Sequence, residues 1–304
     1  MRDSQVDMNI SMLGVAVVGA MVGSISVAQA QTSTSANNEG PILGARAVNA
    51  TAGFTIKNAA GSVRLIGWDY DSIVVRGRVA TGERFSFVGD KAAMKIGMYS
   101  QDAGTPPRPS HFVIYLPKRS SVTPTTVTGD LFATDVSGIF TSVSGTIQIR
   151  GSATSIEAES INGSVDIDVA APWVHARTGQ GHLLIRGTPQ DVDAATIGGT
   201  LDVASPAILR GRFTSVSGDI HYAGQPAWGG IFEFSNHSGA VDFLLPRATS
   251  ARLELSSVVG LIENGFDRIR PVAAGPHSLR INLGRGDAQI TARTFKGVIR
   301  LRPE

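Results

Sequence analysis

The sequence predicts an all-β protein, a single-domain parallel β-solenoid with turns of about 18–21 residues, preceded by a signal peptide. Three observations predict it. Gly145, Gly163, Gly181 and Gly199 recur every 18 residues, and Gly218, Gly239 and Gly260 follow at 19, 21 and 21. A period near 20 residues marks a stacked architecture whose unit is one supersecondary element. Around each glycine the apolar residues alternate with period two, as in a strand buried on one face. Beyond residue 30, no ten-residue amphipathic stretch is free of glycine or β-branched interruption, so no helix is expected there.

Taken in chain order, residues 1–30 read as the signal peptide. Met12–Val27 is an apolar run shorter than a membrane span, and Ala28-Gln29-Ala30 fits the small-x-small cleavage pattern. Cleavage is expected after Ala30. Residues 31–49 read as a flexible lead and 50–304 as the solenoid domain. Phe54/Ile56, Gly61, Val63/Leu65 and Ile73/Val75 give a less regular first turn, as expected of a cap. Residues 81–110, ending in Thr105-Pro106-Pro107-Arg108-Pro109, read as an insertion or long hairpin.

From Gly145 each repeat reads as strand, glycine turn, strand. After the glycine come Ile147/Ile149, Val165/Ile167, Leu183/Ile185, Leu201/Val203, Ile220/Tyr222 and Val241/Phe243. Before it come Ile156/Ala158, Val174/Ala176, Val192/Ala194, Phe232/Phe234 and Leu253/Leu255, with Gly211/Phe213 lacking one apolar member. Three residues before the glycine stands a small polar side chain: Ser142, Ser160, Thr178, Thr196, Ser215, Asn236 or Ser257. Such a column either satisfies a structural corner or lines a groove with hydroxyls. Pro172, Pro189, Pro206, Pro226 and Pro246 form a second column, suited to strand exits because proline has no donor for a ladder. After Gly260 the spacing loosens, and Leu279/Ile281/Leu283, Ala288/Ile290 and Val298–Leu301 supply the last strands.

Composition bounds the function. Beyond residue 30 the chain carries 26 basic and 23 acidic residues without a cluster, which gives no case for nucleic acid. There is no cysteine, so neither disulfides nor a lipid-bearing cysteine is available. The expected location is periplasmic or cell-surface.

Several motifs together resemble the bacterial DUF4097 group, whose other name is an adhesin domain. They are Asn58-Ala59-Ala60-Gly61-Ser62-Val63, Val113-Ile114-Tyr115-Leu116-Pro117, the Val-Ser-Gly cores at Val136, Val143 and Val216, and Phe243-Leu244-Leu245-Pro246 followed by Gly260-Leu261-Ile262. The resemblance covers roughly Ala50–Leu301 and implies a β-solenoid-like fold in a cell-envelope setting. It implies no catalytic residues.

Candidate chemistry is sparse: no catalytic, cofactor or metal residues are assigned. Three residues after each glycine stands an outward column, Gln148, Asp166, Leu184, Asp202, His221, Asp242 and Glu263. Carboxylates on neighbouring turns would lie about 5 Å apart, within reach of a hard cation, and Asp242 with Glu263 is the best such pair. A polysaccharide-cleaving β-helix needs at minimum two carboxylates about 5–9 Å apart, which Asp166, Asp202, Asp242 and Glu263 could supply. The six histidines lack metal spacing, and no Gly-x-Ser-x-Gly elbow occurs. Arg285-Gly286-Asp287 reads as a chance tripeptide. Trp173 and Trp228 follow column prolines and share an edge, either plugging the corner, the favoured reading, or stacking on sugars. By register, Ile167→Asp should unfold the protein and Asp166→Asn should be silent.

The function expected is non-enzymatic: an exported envelope protein presenting a solenoid surface to a protein or glycan. The alternatives are a polysaccharide-active β-helix enzyme and a periplasmic scaffold or envelope-stress accessory. Exposed terminal strands would permit end-to-end self-association.

Overall fold

The computed structural model describes residues 39–100 and 105–304, and every regular element among them is a β-strand. The signal peptide read at 1–30 and its cleavage point lie outside the described residues. The first strands are β1 (Ile42–Ala47), β2 (Gly53–Asn58), β3 (Gly61–Trp68), β4 (Ser72–Arg78), β5 (Glu83–Gly89), β6 (Ala93–Ser100) and β7 (Ser110–Pro117). Then come β8 (Ser121–Thr126), β9 (Asp130–Thr134), β10 (Ser137–Ser142), β11 (Ile147–Ser152), β12 (Ser155–Ser160), β13 (Val165–Ala170) and β14 (Trp173–Thr178). They continue as β15 (Leu183–Gly187), β16 (Asp191–Thr196), β17 (Leu201–Val203), β18 (Arg210–Ser215), β19 (Ile220–Ala223), β20 (Ile231–Asn236) and β21 (Val241–Leu245). The last are β22 (Ala251–Ser257), β23 (Ile262–Asn264), β24 (Ala273–Gly275), β25 (Ser278–Leu283), β26 (Ala288–Thr294) and β27 (Ile299–Pro303).

Each coil gives one strand to each of two sheets. Sheet A has 13 strands in the order β1-β4-β7-β3-β9-β11-β13-β15-β17-β19-β21-β27-β23. Sheet B has 14, in the order β24-β25-β22-β26-β20-β18-β16-β14-β12-β10-β8-β2-β6-β5. From β8 to β21 all pairings are parallel, and the alternating residues stack in register. Ile147, Val165, Leu183, Leu201, Ile220 and Val241 form one buried column. Ala158, Ala176, Ala194, Phe213 and Phe234 form another in sheet B. These inward columns make one continuous core, the expected solenoid. At Gly211 the place of a missing side chain is filled by the rings of Phe213 and Phe232.

The corner explains the glycine period. A Cβ on Gly145, Gly163, Gly181, Gly199 or Gly218 would overlap the carbonyl oxygen of the glycine one coil earlier. Only glycine lets the corners approach at strand spacing. The small polar column is buried and, except at Thr196, braces this turn. Gly145 N–H donates to Ser142 Oγ at 2.9 Å, Gly163 N–H to Ser160 Oγ at 2.9 Å, and Gly239 N–H to Asn236 Oδ1 at 3.0 Å. It is a structural corner, and Ser160, Thr178 and Thr196 also border a shallow depression of about 360 Å³. The column prolines lie just outside the strands, where no ladder donor is missed.

Both ends depart from chain order. At the start, β2 and β3 are flanked on one side by β8 and β9 and on the other by β6 and β7. The strands β4 and β5 close that end by pairing antiparallel with β7 and β6. Residues 42–47, read from sequence within a flexible lead, form β1 and pair antiparallel with β4. The stretch 81–110 contains the β5–β6 hairpin, and β6 is also a parallel partner of β2. At the other end, β26 lies between β20 and β22, and β27 between β21 and β23. The coil of Gly260 therefore does not stack on that of Gly239, as its spacing predicts. The C-terminal coil, with its own corner at Gly297, is inserted between them.

Candidate functional site

Sheet A carries the acidic column on its outer face. Gln148, Asp166, Leu184, Asp202, His221 and Asp242 are successive register partners, as their spacing predicts. The next partner of Asp242 is Arg300, and Glu263 lies beyond it. The expected Asp242–Glu263 pair is thus split by a guanidinium. Arg300 reaches Asp242 Oδ1 and Glu263 Oε2 at 3.3 Å each. No cation site arises there, because the inserted coil supplies the countercharge.

The other carboxylates are also partnered. Asp166 accepts from Arg150 at 2.9 and 2.5 Å, and Arg186 lies 3.3 Å away. Partial burial works against the Asp166 carboxylate, but Arg150, with Gln148 and Arg186, outweighs it and holds the carboxyl below its ordinary value near 3.8. His182 Nε2 lies 2.5 Å from Asp202 Oδ2 and His221 Nδ1 lies 3.3 Å from Asp242 Oδ2. Among the described residues no group of three His, Asp or Glu is arranged to hold a metal. The face is a ladder of paired side chains, Arg with Asp or Glu and His with Asp.

Sheet B presents a different surface. Trp173, Asp191, Arg210 and Ile231 are register partners on β14, β16, β18 and β20, and His175, Asp193, Arg212 and Glu233 form the parallel column two residues on. All of these except His175 line a shallow depression of about 300 Å³. Arg210 Nε holds Asp191 at 2.9 Å and Arg212 holds Glu233 at 3.3 Å, so the polar groups are held in place by one another. The Trp173 indole stacks on the His175 ring, with centroids 5.7 Å apart and 12° between planes.

Trp173 is 39% exposed and Trp228, in the turn entering β20, is 82% exposed. Neither plugs a corner, contrary to the reading favoured from sequence. Both lie where strands of sheet B begin, Trp173 opening β14 and Trp228 three residues before β20. Leu209 and Ile231 between them are exposed as well. Trp68 is half-buried on the outer face of β3, its Nε1–H donating to Ser72 O at 2.8 Å beside Tyr70 and Tyr115.

Sequence reasoning singled out the two tryptophans but not the grid between them. Its signal is a fixed offset. Trp173, Asp191, Arg210 and Ile231 each stand eight residues before Gly181, Gly199, Gly218 and Gly239, and the second column six before. The tripeptide Arg285-Gly286-Asp287 forms the tight turn between β25 and β26. Gly286 has φ +77° there, and the Arg285 N–H donates to Ser250 Oγ at 2.9 Å.

Among the described residues no helix is long and apolar enough to cross a membrane. No family model matches the chain, and no curated protein matches it in sequence. It is similar to a crystal structure from Parabacteroides distasonis named a "putative adhesin", at 9% identity and TM-score 0.49, over 86% of this chain and 98% of that one. A protein of Parabacteroides merdae with the same name is similar at 8% identity and TM-score 0.46, over 85% and 94%. A third of that name, from Bacteroides fragilis, is similar at 11% identity and TM-score 0.43, over 85% and 95%.

Proposed function

We propose that this protein is a non-enzymatic, exported cell-envelope component of the DUF4097 kind that binds a glycan along the outer face of sheet B. The observation that carries this reading is the pair of exposed tryptophans, Trp173 and Trp228, on one edge of that face with Asp191 and Arg210 between them. An indole face packs against the C–H side of a sugar ring, while carboxylate and guanidinium take up its hydroxyls. Because Arg210 and Asp191 are already paired, their side chains lose little freedom on binding. The surface is open and runs across several coils, which suits an extended polymer better than a small molecule. The same carboxylates lie against cations on an open face, which speaks for recognition over cleavage. In the envelope the glycan face would be presented from the periplasm or the cell surface after removal of residues 1–30.

The test is affinity electrophoresis of the purified protein in gels containing soluble envelope polysaccharide from the producing cells. Retardation is expected for the wild type, with a loss of about tenfold in apparent affinity for Trp173→Ala or Trp228→Ala and no change in melting temperature. Polymer length, followed by size exclusion, should stay constant. Unchanged retardation in both variants would sink the assigned face, and a shortened polymer would make the protein an enzyme. Protease shaving of intact and permeabilised cells reads the location. Digestion in the intact cells places the protein at the surface and digestion only after permeabilisation places it in the periplasm. Protection in both overturns export.

A further inference from the structure

The outermost C-terminal turn differs in chemistry from the other corners. Two residues before the corner glycine, an exposed aliphatic side chain is common, as at Val143, Ile161, Ile197 and Val216. The residue just before the glycine is polar at Ser144, Asn162, Ser217, Ser238 and Lys296. At Gly260 both neighbours become aliphatic. Val258, Val259 and Leu261 are exposed by 62, 61 and 60%. Val259 N–H donates to Phe295 O at 2.9 Å, which sets this turn beside a fourth exposed apolar residue, Phe295. Scattered exposed aliphatics are normal on a protein surface, but a contiguous group at one tip marks a contact. The turn leads into β23, the last strand of sheet A, which pairs only with β27.

Charge indicates what the tip meets. Residues 245–304 contain ten Arg and Lys against five Asp and Glu, whereas residues 105–244 contain eight against twelve. Lys296 and Arg293, both exposed, belong to the coil beside the tip. His277 reaches the carbonyl of Gly260 at 2.8 Å. Glu263 is the nearest acid along the chain, and it is paired with Arg300. A small apolar insertion flanked by exposed Lys296 and Arg293 is the chemistry of an anionic membrane surface.

We propose that this C-terminal tip docks on an anionic lipid bilayer. Val258, Val259, Leu261 and Phe295 enter the headgroup boundary, and Lys296 with Arg293 faces the lipid phosphates. A second copy fits the tip less well. The opposite end of the stack, residues 39–100, is also basic, with eight Arg and Lys against five Asp and Glu, so end-to-end contact would bring like charges together. The three-residue edge of β23 offers little ladder to a partner strand. The proposal is independent of the glycan reading, since the two surfaces share no residue.

The test is vesicle flotation of residues 31–304, which contain the whole compact unit Asn37–Glu304. The vesicles are phosphatidylglycerol with phosphatidylcholine, or phosphatidylcholine alone. The wild type should float with the anionic vesicles only and be released by about 0.5 M salt. The double variant Val259→Ser, Leu261→Ser should weaken binding about tenfold, and Lys296→Glu severalfold, both keeping the wild-type melting temperature. Absence of flotation in the wild type overturns the proposal, as does equal flotation of wild type and both variants. Concentration-dependent self-association in sedimentation velocity that the double variant abolishes, without flotation, assigns the tip to a second copy and also overturns it.

Discussion

The middle of the stack and its two ends are built from the same coil but obey different orders. Between β8 and β21 every coil lies on the one that precedes it in the chain. At the C-terminal end the chain goes on to lay β22 and β23 one place too far, turns back through β24 and β25, and only then fills the gap with β26 and β27. The N-terminal end does the equivalent with β6 and β7, which lie between β2–β3 and the closing strands β4 and β5. The difference teaches that the repeat specifies a coil and its inward face, not its neighbour. In the middle, short connections make the preceding coil the nearest partner, and stacking follows chain order with little loop entropy to overcome. At the ends a coil laid down early is held in place by one laid down late, so the terminal layers depend on long-range closure.

The largest expected effect breaks the ends and spares the middle. Excising residues 163–180, one full coil, should leave a shorter stack that still melts cooperatively, because Asn162 then leads directly into the next corner at Gly181. Deleting residues 288–304, which is a similar length of chain, should unravel β22–β25, because β22 and β23 lose the strands that join them to β20 and β21. Hydrogen exchange measured across both variants decides it. A collapsed excision variant beside an intact truncation variant would reverse the comparison.

A smaller effect tests the inserted layer at a single residue. Gly297 stacks on the carbonyl of Gly239, just as Gly199 stacks on that of Gly181. Gly297→Val and Gly199→Val should therefore be destabilised alike, by about 3 kcal/mol each, read by denaturant unfolding. If Gly297→Val is tolerated while Gly199→Val is not, the late coil is not seated as the middle ones are.

The last comparison sets the inner face of the middle coils against the outer face, where the smallest effect lies. Ile167 is fully buried, so Ile167→Asp should abolish folding. Its neighbour Asp166 is not the silent position that alternation predicts, since Arg150 and Arg186 hold it. Asp166→Asn should cost up to about 1 kcal/mol at pH 7. Because the folded carboxyl titrates lower than the unfolded one, its contribution is complete above the ordinary value near 3.8 and disappears as pH falls through the folded value. Wild type and variant should thus converge in acid. A gap that persists at low pH would show that the asparagine disturbs packing and that lost charge is not the cause.

The coil is encoded locally along the chain. Its glycine corners, buried hydroxyl braces, inward alternation and proline exits are local consequences of strand geometry repeated at a fixed interval, and each stands where the period puts it. The acidic column was legible too, and so were the two tryptophans on one edge. Only the tertiary structure decided which coil meets which at the ends. The insertion of Arg300 between Asp242 and Glu263 follows from a strand pairing across 58 residues, and no local pattern encodes that choice. Exposure was decided there as well. A tryptophan after a corner proline fits a plug or a platform equally well by spacing, and the difference rests on what the neighbouring coils place beside it. The apolar character of Val258, Val259 and Leu261 is plain in the chain, but its meaning depends on their lying at the last layer, where no further coil covers them.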